Sequence, residues 1–456
     1  MSRRAPILLF LLALAVRLPM LFTRHDDYAS GGITTAMGLV ARNILAGRGL
    51  VETIGPDEVL RLYDRQQAEG RLLDIAEFPD PPDPPTRPLI QRMPGYPLFL
   101  AAVWRITGTQ SYFPAQAVQV LLGALLPILL CGAGRRLFGE TPGLIAGTIA
   151  ALNFPMAWLS VVPLYDGWVL FLAGLIVWLL ARAEGRGHPI QDWAFIGLVA
   201  AAGVYFKSTF LIVPPLLAAA VVPRLGLRRA ALRGAVALGL PLLALLPWAV
   251  RNERIYHRPI LTNTFFWATV WEGFGEIDND FGAVLDDRAT FAMVAAGRPE
   301  ITYASPEYDD LIKPRVLEVL RTRPAFLVRL AAHRLIRGLF LPDDRWGIPA
   351  AEGSARSFAA FRARTGGGPL AYVATEPLAA VVKIMQRLWN PLLLGAAILS
   401  LWLNRRRWRE FLPLLGVAAA FLSTAVLLHL EGRYLLPAGL VWTLLASGVR
   451  AGAPGR

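Results

Sequence analysis

Ten stretches of this 456-residue chain are apolar for long enough to cross a bilayer, allowing for tilt, and no other feature restricts its fold so severely. Inside hydrocarbon every backbone N–H and C=O must be satisfied within the protein, so such stretches become helices. They cover approximately residues 1–22, 112–133, 141–160, 164–181, 192–206, 208–222, 235–250, 388–403, 411–428 and 434–449. The first begins with Arg3 and Arg4 and shows no small-x-small cleavage site before Arg24, so it is expected to remain as a membrane helix.

The chain is 55% hydrophobic and 17% charged, with a net charge of +13, and the basic residues collect between the apolar stretches. That distribution points to membrane topology rather than nucleic acid. Arg135 and Arg136, Arg182 and Arg186, Arg224, Arg228, Arg229 and Arg233, the run from Asn404, and the tail from Arg450 all fall on the side of Arg3 and Arg4. Both termini are therefore expected in the cytoplasm of a multi-pass protein of the inner or plasma membrane, surrounded by membrane lipids. Residues 24–111 and 251–387 then form outer segments of a single domain, 1–450, followed by a tail, 451–456. Cys131 is alone, which excludes an internal disulfide and a cysteine metal cage.

In the first outer segment Ile33, Met37, Val40 and Ile44 recur at helical spacing with Arg42 and Asn43 on the other side. This suits a helix in the membrane interface, and equally an ordinary surface helix. The prolines of "FPDPPDPPTRP" from Phe78 favour an extended linker or loop. "RMPGYPLFLAAVWRI" from Arg92 resumes an apolar helix, its start marked by Gly95 and two prolines.

Charge inside a span costs about 2.5–3.5 kcal/mol at the bilayer centre, so the depth of each ionisable residue is informative. The topology places Asp26, Asp27, Arg92, Asp166, Lys207, Arg251, Glu431 and Arg433 at one membrane face, where a lipid phosphate and a water-borne group can meet. Each has a plainer reading. Arginines at helix ends reach for water, Asp166 can cap a helix, Lys207 can pair with a carboxylate, Glu431 can pair with Arg433, and Asp26 and Asp27 can lie in a solvated turn.

The motifs together resemble those of the GT-C membrane glycosyltransferases. The likeness is to the family-39-like group of protein O-mannosyltransferases and the aminoarabinose and galacturonic acid transferases of lipid A. They are "HDDY" from His25, "ARNILAGRG" from Ala41, "RMPGYPLFLA" from Arg92, "GRRLFG" from Gly134, "PWAVRN" from Pro247 and "RYLLPA" from Arg433. The resemblance implies an all-α polytopic fold, a GT-C-like bundle of about ten transmembrane helices with interfacial helices in the first outer loop. It also implies sugar transfer with inversion, from a polyprenyl-phosphate donor to an envelope acceptor. The proline-rich first loop, and Asp166 where a serine or glutamate is commoner, depart from the pattern.

On that resemblance Asp26 or Asp27 is the base and the other a positioning group, with Asp26 the first choice. Arg92 leads for the donor phosphate, followed by Arg251, Lys207 and Arg433; an arginine fork holds two phosphate oxygens and keeps its proton. Asp166 and Glu431 join as further substrate contacts, and Tyr96, Trp104 and Trp248 are candidates for a prenyl groove or an aromatic belt. His25 and His257 are too isolated to define a metal site, and no metal or cofactor is expected. A secondary transporter or lipid flippase is the alternative, although transporters bind substrate near the midplane rather than at one face.

Overall fold

The computed structural model describes residues 4–24, 31–53, 65, 68–69, 71–340 and 356–450. Asp26 and Asp27 lie outside the described residues.

The described residues of all ten apolar stretches are helical over most of their length. Among the described residues, seven helices are long and apolar enough to cross a membrane: Arg4–Thr23, Phe113–Phe138, Asp166–Glu184, Ser208–Leu225, Leu227–Tyr256, Pro377–Leu403 and Arg405–Leu427. The other three stretches form Glu140–Leu152, Ile190–Val204 and Gly432–Ser447, which have 13, 15 and 16 residues. Helices this short lie within the bundle but below the length of about 20 residues that spans a bilayer upright.

In chain order, α1 is Arg4–Arg24, α2 Gly31–Leu45, α3 Gly95–Thr107, α4 Phe113–Phe138, α5 Glu140–Leu152 and α6 Phe154–Leu159. Next come α7 (Asp166–Glu184), α8 (Ile190–Val204), α9 (Val213–Leu225) and α10 (Leu227–Tyr256). A second group, α11 (Phe266–Phe274), α12 (Asp287–Ala295), α13 (Pro306–Thr322) and α14 (Pro324–Leu339), encloses its own aromatic core around Trp271, Phe274 and Tyr308. The short α15 (Phe358–Thr365) and α16 (Pro369–Thr375) lead to α17 (Pro377–Leu403), α18 (Trp408–Leu427) and α19 (Gly432–Ser447). The main core is built of Leu, Val, Ala and Ile from α4, α7, α8, α18 and α19.

The arginine-rich connections meet at one end of the bundle. Arg407 donates to the Leu137 carbonyl at 2.9 Å, Arg182 and Arg186 pair with Asp192 at 3.1 and 3.0 Å, Arg224 pairs with Glu184, and Arg233 donates to the His188 carbonyl at 2.6 Å. Since α7 begins with Asp166 and carries Arg182 in its last turn, Asp166 marks the opposite end.

The described part of the segment between α1 and α4 is tied down more firmly than its composition suggests. Strands β1 (Val51–Thr53) and β2 (Thr86–Pro88) pair antiparallel, so the end of the proline-rich stretch is a strand rather than a free linker. Arg42 and Asn43, expected on a solvated face of α2, are buried instead. Arg42 donates to the carbonyls of Ile75, Phe78 and Pro79 at 3.3, 3.1 and 3.1 Å. The prolines explain this: Pro79 offers an acceptor but no donor, so a multi-donor guanidinium satisfies the carbonyls the segment cannot pair itself.

Candidate functional site

The start of α3 is fixed by a glycine. The Gly95 N–H donates to the Tyr205 carbonyl at 2.8 Å, and a Cβ at Gly95 would stand 2.5 Å from that oxygen. Only a residue without a side chain permits the approach, which brings the segment holding Arg92 against the end of α8, two residues before Lys207. At the next residue, Trp168 of α7 stacks on Phe206 with ring centroids 5.0 Å apart and planes 8° from parallel. That stack sets the start of α7 beside Lys207.

Asp166 and Lys207 consequently meet. Lys207 Nζ lies 3.6 Å from Asp166 Oδ1, and Arg433 Nε lies 3.7 Å from Asp166 Oδ2. Neither distance is that of a hydrogen bond, and both carboxylate oxygens are buried without a hydrogen-bond partner among the described residues. Asp166 therefore does not cap α7. Arg433 also pairs with Glu431, whose Oε1 lies 2.9 Å from His429 Nε2. The Lys207 ammonium stands 3.5 Å from the centre of the Tyr434 ring, which in turn stacks on His429 at 5.4 Å.

Burial lowers the Lys207 pKa to about 8, against the opposing pull of the Asp166 carboxylate. Burial raises Glu431, but Arg433, His429 and Lys207 outweigh it and hold the carboxyl below its usual range. Burial, aided by Asp166, raises the Tyr165 phenol to about 12. Arg92, half-buried, lies within electrostatic reach of both Tyr165 and Tyr303.

Of the predicted residues, the structure thus brings together Asp166, Lys207, Glu431 and Arg433, with Arg92 within electrostatic reach. Arg251 is committed elsewhere: its Nη1 donates to the Leu89 carbonyl and to Asn252 Oδ1, and its Nη2 to the Leu50 carbonyl at 2.9 Å. Those bonds hold the segments next to β1 and β2, a structural use of the fork. The aromatic candidates lie in the interior, Tyr96, Trp104 and Trp248 being 0%, 2% and 4% exposed. Each polar atom is bonded inside the protein: Tyr96 to Gln119 at 2.8 Å, Trp104 to the Ser111 carbonyl and Trp248 to the Thr262 carbonyl at 2.6 Å each. No trio of His, Cys, Asp or Glu suited to a metal ion occurs among the described residues.

Sequence reasoning missed His429 and the residues that hold its turn, Glu276 and Arg334. His429 stood in plain view in "HLEGRYLLP", at alternate positions with Glu431 and Arg433. Glu276 and Arg334 carried no motif.

Chemically, the group offers a planar fork, an ammonium and a further arginine in a water-poor setting, with two carboxylates keeping them ionised. Counting the described residues, three cations less two carboxylates leaves one net positive charge. That balance suits a phosphodiester.

Residues 87–249 match the family model described as dolichyl-phosphate-mannose-protein mannosyltransferase, a stretch that includes Arg92, Asp166 and Lys207. No curated protein matches the chain in sequence. Among solved structures it is similar to the oligosaccharyltransferase of Archaeoglobus fulgidus tethered with an acceptor peptide containing the NVT sequon: TM-score 0.50, 12% identity, 98% of this chain and 49% of that one. The same archaeal enzyme in complex with an inhibitory peptide and a dolichol-phosphate gives a TM-score of 0.47 at 13% identity, over 97% of this chain and 49% of that one. ArnT from Cupriavidus metallidurans bound to undecaprenyl phosphate gives 0.39 at 14% identity, over 99% of this chain and 78% of that one. The chain spans about half the length of the archaeal enzyme. Its fold is that of the GT-C membrane glycosyltransferases, as the motifs led one to expect.

Proposed function

We propose that this chain is a membrane glycosyltransferase that moves a sugar from a polyprenyl-phosphate donor to an envelope acceptor at the outer face of the membrane. The family match, whose description names a dolichyl-phosphate donor, supports the reaction class and the donor chemistry. The observation that carries the reading is the convergence of Asp166, Lys207 and Arg433 at one end of the bundle, with Lys207 and Arg433 3.6 and 3.7 Å from opposite oxygens of one carboxylate. The arginine-rich ends lie opposite, and the bias of such residues toward the cytoplasm favours an outward-facing site.

In this reading an acceptor hydroxyl oxygen attacks the anomeric carbon from the face opposite the phosphate, and configuration inverts. The bond from that carbon to the phosphate oxygen breaks, and its electron pair leaves with the lipid phosphate. The hydroxyl proton passes to Asp26 or Asp27. Before reaction the donor phosphodiester carries one negative charge; as it departs it gains a second. Arg433, Lys207 and Arg92 favour the departing form, since fixed cations in a dry site stabilise the charge that develops. Asp166 and Glu431 keep those cations ionised and in place.

Reconstituted protein given a labelled sugar on polyprenyl phosphate, with an envelope extract as acceptor, tests the reading. Label is expected in a new glycosidic product, with Asp26→Asn or Asp27→Asn slowing its formation by about 10²- to 10⁴-fold. Movement of label across the bilayer with no new product overturns the proposal in favour of a transporter.

A further inference from the structure

The turn between α18 and α19 carries His429 and Glu431 and leads into Arg433 in the first turn of α19, and it is held by a side chain from another part of the molecule. Arg334 of α14 is buried, its side chain 2% exposed. Four of its bonds run to the end of α18 and the turn after it, and to the end of α11 and the residues that follow it. Nη1 donates to the Val426 carbonyl, Nη2 to the carbonyls of Leu428 and Gly273 at 2.8 Å each, and Nε to Glu276 Oε2 at 2.9 Å. Glu276 closes the ring, its Oε1 accepting the Leu430 N–H at 2.6 Å. Gly273 is the remaining part, because a Cβ there would collide with the Leu428 carbonyl and with Arg334 itself.

The arrangement satisfies the Val426 carbonyl at the end of α18 and the Leu428 carbonyl and Leu430 amide of the turn after it, and ties them to the Gly273 carbonyl of α11. An exposed turn could leave such groups to water; here the ion pair that replaces water is nearly inaccessible, its side chains 2% and 4% exposed. Stability alone is a weak reason for a buried pair, since well-packed apolar groups often do as well. A fork making directional bonds to several carbonyls does something apolar groups cannot: it fixes where the backbone runs.

We infer that Arg334 and Glu276 are positioning residues that fix the 426–430 backbone, and so set Glu431 and Arg433 against Asp166 and Lys207. Their role as part of a donor-phosphate site rests on the function proposed above; the positioning itself does not. Neither residue touches the reacting atoms. A displaced turn would move Arg433 and Glu431 away from Lys207, whose surroundings they share with Asp166 and Tyr434.

The test uses the full chain in nanodiscs, with Arg334→Lys, which keeps the charge and loses the fork, and Glu276→Gln, which keeps the shape and loses the charge. Arg323→Ala, which removes the exposed Arg323–Asp280 pair at the start of the same helix, is the control. Two quantities are read. The first is the titration of Lys207 by carbon-13 NMR of labelled lysine, in a native chain whose only lysines are Lys207, Lys313 and Lys383, assigned with Lys207→Arg both there and in the Arg334→Lys background, which carries a fourth lysine. The second is binding of farnesyl phosphate.

Arg334→Lys and Glu276→Gln are expected to move the Lys207 midpoint by about 0.5 pH unit or more and to weaken farnesyl phosphate binding about tenfold or more, with Arg323→Ala doing neither. In the Arg334→Lys background, loss of Arg433 is expected to cost less affinity than it does in the native chain. A Lys207 midpoint unchanged in both clamp variants overturns the inference, whatever happens to binding. A shifted midpoint in a protein that binds no prenyl phosphate even in its native form supports the positioning and overturns the donor reading.

Discussion

Asp166 and Arg433 stand at the starts of two helices far apart in the sequence, and the Asp166 Oδ2 and Arg433 Nε atoms lie 3.7 Å from each other. Both groups are buried, and Lys207 approaches the other carboxylate oxygen, so one acidic side chain balances two cations. Removing Asp166 leaves two buried cations with Glu431 as the one remaining carboxylate among the described residues to offset their loss of water.

Asp166→Asn is therefore expected to lower the unfolding free energy by about 3–5 kcal/mol. The measurement is the unfolding midpoint in detergent against denaturant. A midpoint equal to that of the native chain would show that Lys207 and Arg433 do not depend on Asp166.

Arg433→Lys keeps the charge and removes the planar fork. If the fork holds two oxygens of a departing phosphate, turnover is expected to fall about 10²- to 10³-fold, the range observed when one oriented donor to developing charge is lost. The check is the initial rate of sugar transfer at saturating donor; a loss confined to KM would instead assign Arg433 to ground-state binding.

The Lys207 group makes binding and stability run in opposite directions with pH. Its folded-state pKa is lowered to about 8 by burial, while a lysine in the unfolded chain keeps its ordinary value of 10.5. Between these values the unfolded chain holds more protons, so stability rises with pH through that window. The ammonium itself is lost from the folded protein above about 8, and affinity for a prenyl phosphate should fall there. Lys207→Arg should abolish the fall in affinity; parallel pH profiles for the two proteins would assign the titration to another group.

Glu272 of α11 is 4% exposed, and its pKa is raised to about 10, first by burial and then by Asp287. The folded chain thus holds a proton between the ordinary carboxyl value of 4.5 and about 10 that the unfolded chain releases, and stability declines with rising pH across that range. Glu272→Gln presents a neutral side chain of the same shape at every pH. It is expected to flatten the decline and to match or exceed the native unfolding midpoint at pH 7; a lower midpoint there, with the slope unchanged, would contradict protonation of Glu272.

Gly95→Ala tests the contact that seats α3. Its Cβ would meet the Tyr205 carbonyl at 2.5 Å, a backbone atom that cannot swing aside, so a cost of about 1–3 kcal/mol is expected. The displacement would be carried to Arg92 and Lys207, and prenyl phosphate binding should weaken together with the midpoint.

The sequence by itself determined the class of the fold. Long apolar stretches admit only helices in lipid, and the arginines of the connections sort the helix ends into two sets. It also named Asp166, Lys207, Glu431 and Arg433, because an ionisable residue at the edge of an apolar stretch is costly enough to be noticed one residue at a time. What it left open was which of these residues share a site. Arg251 shows the reason: in "PWAVRN" it has the same local features as Arg433 in "RYLLPA", yet tertiary contacts spend its fork on the carbonyls of Leu50 and Leu89. Arg42, Arg334 and Glu276 make the same point from the other side. A backbone carbonyl is present at every position and leaves no mark in a sequence, so only the folded chain decides which arginine meets carbonyls and which meets a carboxylate.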